Sequence, residues 1–242
     1  MKLLNIEELT KTYRNNRGIR NLSLDIEPGD VIALLGPNGS GKTTAMKAMT
    51  GMLQKSGGNI YYKGNNIELN LKDIFNFTGA VIGKTVHYEY MTAYDNLDII
   101  RPFIKSIKEG DIEVMLEKVG LLEYKKDRVS TFSTGMKQRL SIAKAMLHRP
   151  SLLLLDEPFS GMDIEGRTKI VALLKREVES NKLGILISSH QISDVENLVT
   201  KVCIINESNW LATETVSVIR EKYDRLEDYY LDIIKSKKGM AV

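Results

Sequence analysis

The chain has 242 residues, of which 43% are hydrophobic and 27% charged, a balance typical of a soluble globular protein with a sizeable core. Its net charge of +3 is only mildly basic, so composition neither demands nor excludes a nucleic acid or an anionic lipid surface as a partner. No apolar run approaches the ~20 residues that span a bilayer, and the first residues are too polar for a signal peptide. Any membrane role is therefore expected to be peripheral.

The chain starts with two alternating segments, residues 3–9 and 22–26, which predict two strands joined by a polar turn at residues 15–18. Tyr13 stands just before that turn. On pattern alone, stacking on an adenine ring and packing within the strand are equally good interpretations of this aromatic residue.

The next segment carries the strongest motif in the chain. Residues 31–35, VIALL, predict a short buried strand, and the pattern G-x-x-x-x-G-K-[ST] follows at once. The whole motif, GPNGSGKTT, consists of Gly36, Pro37, Asn38, Gly39, Ser40, Gly41, Lys42, Thr43 and Thr44. Its glycines let successive backbone N–H groups point inward as an anion nest, and the following helix adds its positive end. The motif predicts a loop that cradles nucleotide phosphates, although several P-loop families share it.

The middle third of the chain has the apolar periodicity of α-helices. After a helix predicted over residues 44–53 and strands over 59–63 and 66–69, the apolar residues between about 87 and 147 recur at helical spacing. The α/β pattern resumes with strands predicted at 152–155, 184–188 and 202–206, separated by an amphipathic helix. Strands that alternate with helices predict a parallel sheet covered on both faces, with a helical lobe inserted into it.

Polar residues follow two of these later strands. Asp156 and Glu157 end the apolar run LLLL, where ligands bind in open α/β sheets, although a solvated acidic turn would look the same. His190 ends the run ILISS and would lie beside the same phosphates, whereas His87 and His148 have no such context and are interpreted as surface or packing residues.

The stretch STGMKQR predicts the start of a helix. Ser133 is a suitable N-cap and Gly135 allows close approach of another group, but an ordinary capped helix would have the same pattern.

Taken together, GPNGSGKTT, FSTGMKQRL, LLLLDEP, SGMD and the strand that ends in His190 resemble the ATP-binding cassette family, in its usual order and over nearly the whole chain. The subgroup it resembles contains bacterial exporters of the bacitracin-resistance and lantibiotic-immunity type. The resemblance implies one α/β domain with a P-loop NTPase (RecA-like) core, a small antiparallel β part and an inserted α-helical lobe. Its expected bounds are 1–84 and 150–215 for the core, 85–149 for the lobe and 216–242 for a C-terminal helical extension.

The same resemblance implies roles at one nucleotide site that takes ATP and Mg²⁺. Residues 36–44 form the Walker A loop, Thr43 and Asp156 hold the metal, Glu157 polarises the attacking water, and His190 is the switch histidine.

Four further roles follow from the resemblance. Tyr13 stacks on the adenine, and Asp163 ends the D-loop formed by residues 160–163. Two such cassettes pair head to tail, so Ser133 and Gly135 contact the γ-phosphate held by the other subunit.

The function implied is the ATP-binding and ATP-hydrolysing subunit of an ABC transporter at the cytoplasmic face of the cell membrane. Together with a second copy of itself or a paralogous cassette, it would power a separate integral-membrane permease. That permease would export a peptide antibiotic or another amphipathic compound. No nucleic acid partner is expected. The alternatives are a soluble ABC ATPase that acts on the ribosome or DNA, and an ATP-gated regulatory module with little hydrolysis.

The chain departs from the family pattern at two places. The signature, usually LSGGQ, is FSTGM here, and it keeps the serine and the second glycine. Aligned on TAYDNL, Gly83 stands where the family has the Q-loop glutamine, which predicts slow but measurable hydrolysis unless Lys84 or Glu89 substitutes.

Overall fold

Within residues 1–68, 71–190 and 192–238, the parts of the chain that the computed structural model describes, ten strands form one mixed sheet. The strands are β1 (Leu4–Thr12), β2 (Gly18–Ile26), β3 (Val31–Leu35), β4 (Gly57–Tyr62), β5 (Asn65–Asn66), β6 (Thr78–Val81), β7 (Leu152–Asp156), β8 (Gly184–Ser189), β9 (Lys201–Asn206) and β10 (Asn209–Thr215). Their order across the sheet is β5-β4-β1-β2-β10-β9-β3-β8-β7-β6.

Eight α-helices accompany the sheet in the same described ranges. They are α1 (Lys42–Met49), α2 (Leu71–Phe77), α3 (Ala93–Asp98), α4 (Glu109–Lys118), α5 (Thr134–Met146), α6 (Ile164–Asn181), α7 (Val216–Arg220) and α8 (Leu226–Lys238).

The centre of the sheet is parallel: β3 pairs with both β8 and β9, and β7 pairs with β8 and β6. Every residue of β3, β7 and β8 is buried, as expected for parallel strands covered on both faces. The strands β1, β2, β4 and β5 pair antiparallel, and β10 joins them to the parallel part. This mixed sheet with helices confirms the predicted fold class.

The lobe predicted at residues 85–149 contains α3, α4 and α5. The apolar stripe of α4 is buried, and it consists of Ile112, Met115, Leu116 and the following Val119. The start of α3 has a capping box in which Thr92 and Asp95 exchange hydrogen bonds. The division of the chain into core, lobe and extension stays a prediction, and residues 239–242 of the extension lie outside the described residues.

Several predicted bounds were wrong. The helix after the P-loop begins at Lys42 and ends at Met49, two residues earlier at its start and four at its end than predicted. Thr50, just after α1, donates its side-chain hydroxyl to the carbonyl of Met46, and the backbone turns at Gly51, whose φ is +72°. The second short strand, β5, covers only Asn65–Asn66, and residue 69 of the predicted one lies outside the described residues.

The order of strands decides where the site lies. In the paired register Leu35 faces Ser189 and Asp156 faces Ser188, so the carboxyl ends of β3, β8 and β7 lie side by side. The residues that follow these strands therefore meet at one edge of the sheet.

Candidate functional site

The loop after β3 is packed so tightly that two of its residues must be glycine. A Cβ on Gly36 would lie 2.2 Å from the carbonyl oxygen of Ile205, and one on Gly41 would lie 2.0 Å from that of Gly18. Gly41 also has a φ of 111°, a conformation that side chains rarely adopt. The loop thus curls against the β1–β2 turn and delivers the chain into α1 at Lys42.

Lys42 is 6% exposed and its ammonium lies inside this curl. Its Nζ donates hydrogen bonds to the carbonyl oxygens of Gly36 at 2.7 Å and Pro37 at 3.2 Å, and lies 3.9 Å from Oε1 of Glu157. Burial lowers the pKa of Lys42, and the carboxylates of Glu157 and Asp156 oppose that shift. A buried ammonium whose hydrogen bonds go to neutral carbonyl oxygens can exchange those bonds for stronger ones to an anion.

Asp156 is the centre of a hydrogen-bond cluster at the end of β7. Its Oδ2 accepts from Thr43 Oγ1 at 2.7 Å and from the backbone N–H of Gly83 at 3.2 Å, while its Oδ1 accepts from Ser188 Oγ at 2.6 Å. Asp156 is 8% exposed.

The oxygen atoms of this cluster fit a Mg²⁺ ion. Hydroxyl and carboxylate oxygens are the ligands that Mg²⁺ prefers, and adjacent ligands of its octahedral shell lie about 2.9 Å apart. The 2.7 Å between Thr43 Oγ1 and Asp156 Oδ2 is close to that spacing. Within the described residues there is no group of three or more His, Cys, Asp or Glu side chains that would hold a metal by themselves. Phosphate oxygens and water usually supply the remaining ligands of Mg²⁺ at such sites.

Glu157 has a φ of 46°, which is uncommon for a residue with a side chain. Its backbone N–H donates to Ser188 Oγ at 2.9 Å, and its Oε2 lies 3.4 Å from Nδ1 of His190. Its carboxylate consequently lies between the cation of Lys42 and the imidazole of His190. Such a strained position is common at functional sites.

Ser188 is not among the predicted site residues, although its hydroxyl links Asp156 and the backbone of Glu157. The only signal in the sequence was its place at the polar end of an apolar strand.

Two cavities meet at Glu157. The first, of about 340 Å³, is lined by Tyr13, Asn15, Arg17, Gly18, Asn38, Gly39, Gly41, Lys42, Thr43, Thr44 and Glu157. The second, of about 220 Å³, is lined by residues that include Glu157, Ser160, Gly161, Ser188 and His190. Tyr13 is 41% exposed at the mouth of the first, and the buried Ser40 hydroxyl has no hydrogen-bond partner among the described residues.

Ser133, Gly135 and Asp163 do not line either of these two cavities. Ser133 caps α5 by accepting from the N–H of Met136 at 3.2 Å, and Asp163 caps α6 by accepting from the N–H of Gly166 at 2.9 Å. These three predicted site residues therefore lie outside both cavities of their own chain.

Gly83 contributes its backbone to the cluster around Asp156. Its φ is 68°, and a Cβ at this position would have only the Lys47 side chain nearby, at 3.9 Å. Glu89, one of the two predicted substitutes for the missing glutamine, is paired with Lys137 at 2.6 Å, and that hydrogen bond lowers the pKa of Glu89. The carboxylate of Glu89 is therefore bonded to Lys137 and not to the cluster around Asp156.

The other predicted histidines are packing residues. Burial lowers the pKa of both His87 and His148, and each has one ring nitrogen buried without a hydrogen-bond partner among the described residues. Cys203 is likewise a buried free thiol, and burial raises its pKa to about 12. None of the described helices has the length and apolar character to cross a membrane.

Comparison with known proteins shows what the chain is similar to. The sequence profile of a family described as ABC transporter matches residues 19–160. The bacitracin transport ATP-binding protein of Bacillus licheniformis is 37% identical over 240 residues, which are 99% of this chain and 77% of that protein. The lantibiotic transport ATP-binding protein of Streptococcus pyogenes is 35% identical over 226 residues, 93% of each chain.

Solved structures share the fold. The ATP-binding subunit of an ABC transporter superposes with a TM-score of 0.85 at 24% identity, over 96% of this chain and 99% of that one. A dimeric ATP-binding cassette bound to ADP and phosphate superposes with a TM-score of 0.80 at 21% identity, over 88% of this chain and 98% of that one.

Proposed function

The chain belongs to the ABC transporter family as an ATP-binding and ATP-hydrolysing subunit, and from that premise we propose that it powers a separate integral-membrane permease that exports a peptide antibiotic or another amphipathic compound. The names of its bacitracin and lantibiotic transport relatives support this substrate class. The observation that carries the chemical part is the position of Glu157, whose carboxylate lies 3.9 Å from Lys42 and 3.4 Å from His190.

The nucleotide is held by the first cavity. Tyr13 stacks on the adenine, and backbone N–H groups of the P-loop surround the phosphates. Lys42 exchanges its hydrogen bonds to the Gly36 and Pro37 carbonyls for bonds to phosphate oxygens, because an ammonium is bound more strongly by charged oxygens than by neutral ones.

Thr43 and Asp156 would hold a Mg²⁺ ion, and when bound it supplies positive charge to the phosphates of the transition state. The chain's part is to hold the carboxylate of Asp156 in a fixed orientation. Ser188 and the Gly83 amide do this by hydrogen bonding to both of its oxygens.

Glu157 accepts the proton of the attacking water. Its backbone is fixed by Ser188, and His190 positions its carboxylate through the contact at Oε2. Glu157 lines both cavities, so a water molecule bound between its carboxylate and the phosphates can enter from either cavity.

The site is completed by a second copy of the chain or by a paralogous cassette. Ser133 and Gly135 at the start of α5 present a helix N-terminus, which binds anions well, and lie outside the P-loop cavity of their own chain. Gly135 packs closely on the D-loop, since a Cβ there would lie 3.0 Å from the carbonyl oxygen of Gly161, and Asp163 ends that loop. ATP binding closes the two chains on each other, and hydrolysis reopens them and drives the permease.

The assembly acts at the cytoplasmic face of the membrane and without nucleic acid. The alternative of a soluble ABC ATPase acting on ribosomes or DNA has less support, because the relatives named above are transport proteins. The alternative of a regulatory module with little hydrolysis has less support because Asp156, Glu157 and His190 are all in place.

Sensitivity to peptide antibiotics tests the substrate class. In the source organism, deletion of the gene should lower the inhibitory concentration of bacitracin or a lantibiotic, and the wild-type gene should restore it. Glu157→Gln should fail to restore it, whereas Glu165→Gln, which removes an exposed carboxylate from α6, should succeed. Unchanged sensitivity to both antibiotic types would contradict the proposed substrate class.

A further inference from the structure

The turn between β1 and β2 forms a second wall of the nucleotide cavity, opposite the P-loop. The N–H of Tyr13 donates to the carbonyl oxygen of Arg17 at 2.9 Å, and the N–H of Asn16 donates to that of Tyr13 at 3.0 Å. The side chain of Asn15 accepts from the N–H of Arg17 at 3.2 Å. These bonds place Tyr13 and Arg17 together at the rim of the cavity that both residues line.

This turn is fastened to the rest of the site. The N–H of Gly18 donates to Ser208 Oγ at 3.0 Å in a buried bond, and the N–H of Arg20 donates to the Ser208 carbonyl at 2.7 Å. On the other side the carbonyl oxygen of Gly18 lies so near Gly41 that a Cβ there would be 2.0 Å away. The turn is therefore held in a fixed relation to the P-loop before any ligand binds.

Three charged side chains line the cavity: Arg17, Lys42 and Glu157. Lys42 is bonded to two loop carbonyls and lies near Glu157. The guanidinium of Arg17 makes no ion pair and no hydrogen bond with any other residue that the structure describes. A guanidinium has five N–H donors in a planar fork that matches phosphate oxygens, and here they are available beside an anion-binding loop.

We propose that Arg17 is a phosphate-binding residue of the nucleotide site, which contacts the α-phosphate from the side opposite to Lys42. The inference rests on the proposed nucleotide site. Arg17 follows Tyr13 in one fixed turn, so its side chain lies towards the adenine end of the nucleotide, whereas Lys42 lies at the β- and γ-phosphates. One turn thus recognises the base and the adjacent phosphate together.

Titration of ATP and of ADP by calorimetry, with EDTA present to prevent hydrolysis, tests this proposal on the full chain. Loss of one charge-assisted contact is expected to weaken both nucleotides about tenfold in Arg17→Gln, by equal factors because both carry the α-phosphate. Arg17→Lys keeps the charge without the fork and should be intermediate.

Arg14→Gln is the matched control. Arg14 is exposed on the same turn, does not line the cavity and makes no ion pair within the described residues, so its loss removes the same charge and should change either affinity less than twofold. Thermal unfolding of the free variants shows whether the turn is intact.

The outcomes separate this inference from the proposed site. If the wild-type chain bound neither nucleotide, the site itself and this inference would both be overturned. If the wild type bound both and Arg17→Gln bound them within twofold of it, the role of Arg17 alone would be overturned. A loss as large in Arg14→Gln as in Arg17→Gln would also overturn it, because the effect would then be long-range charge.

Discussion

Nδ1 of His190 lies 3.4 Å from Oε2 of Glu157. The contact joins the residue after β7 to the residue after β8, two strands that pair in register. The carboxylate of Glu157 therefore lies beside His190 at the boundary of the two cavities, where we propose that it acts as the general base of hydrolysis.

Replacing Glu157 by Gln should abolish most hydrolysis while ATP still binds. Loss of a general base typically costs about 100-fold or more, and the amide keeps the size of the side chain. ATP should then trap a closed dimer, visible by sedimentation velocity, while phosphate release shows the loss of turnover. Glu165→Gln should behave as wild type, and hydrolysis by Glu157→Gln at the wild-type rate would show that the base is another residue.

Replacing Asp156 by Asn should remove the effect of Mg²⁺ on nucleotide binding. The wild type should bind ATP more tightly with Mg²⁺ than with EDTA, because Thr43 and Asp156 would hold the ion beside the phosphates. Calorimetry with and without Mg²⁺ measures the difference. Ser188→Ala keeps the carboxylate of Asp156 and should lose only part of the Mg²⁺-dependent increase in ATP affinity. The expected loss is roughly 1 kcal/mol of binding free energy. Retention of the full gain by Asp156→Asn would contradict the assignment.

Gly83 allows a controlled test of the missing glutamine. Any side chain at a φ of 68° is strained by about 1 kcal/mol, so Gly83→Ala should hydrolyse ATP no faster than wild type. Gly83→Gln carries the same strain plus a carboxamide that can orient water, and it should exceed both Gly83→Ala and wild type. Equal rates in the two variants would show that the carboxamide is not what limits this chain.

His87 should make stability depend on pH below neutrality. Burial, the largest cause, lowers the pKa of His87, and the cations of Lys144 and Lys137 add to that shift, whereas the Lys137 carbonyl and Glu89 oppose it. In the unfolded chain His87 therefore binds a proton near its ordinary pKa of about 6.5. In the folded chain it binds the proton only at a lower pH. The stabilisation is complete above about pH 6.5 and is lost as the pH falls towards the lower folded pKa, by at most about 1.4 kcal/mol per pH unit.

Urea unfolding at pH 7.5 and at pH 5.5 measures this effect. The free energy of unfolding should fall more for the wild type than for His87→Gln over that interval. The same fall in both proteins would show that His87 does not contribute.

Local patterns in the sequence predicted much of the fold and of the site. The P-loop motif and the acidic end of an apolar run are continuous stretches, so Gly36 and Lys42 could be located from spacing, and Asp156 and Glu157 from their place after that run. The apolar stripe of α4 was likewise found from its helical period and is buried.

What the sequence did not reveal depends on contacts between distant parts of the chain. Ser188 bonds to Asp156, 32 residues away, only because β7 and β8 pair in one register. The strand β10, NWLATET, alternates too weakly to be found by pattern and forms by pairing with β9. In the sequence, Arg17 is one residue of an ordinary polar turn. The contact between Gly18 and Gly41, which places that turn beside the P-loop, is visible only in the structure.

Affinity purification of the tagged chain from detergent-solubilised membranes of its own organism tests the central claim most directly, with the co-purifying proteins identified by mass. A polytopic membrane protein without a cassette of its own should be recovered with it. The wild type and Glu157→Gln should both recover this partner, because the catalytic carboxylate is not expected to lie at the permease interface. Recovery of soluble partners alone, such as ribosomal proteins, would contradict the account of a transporter subunit.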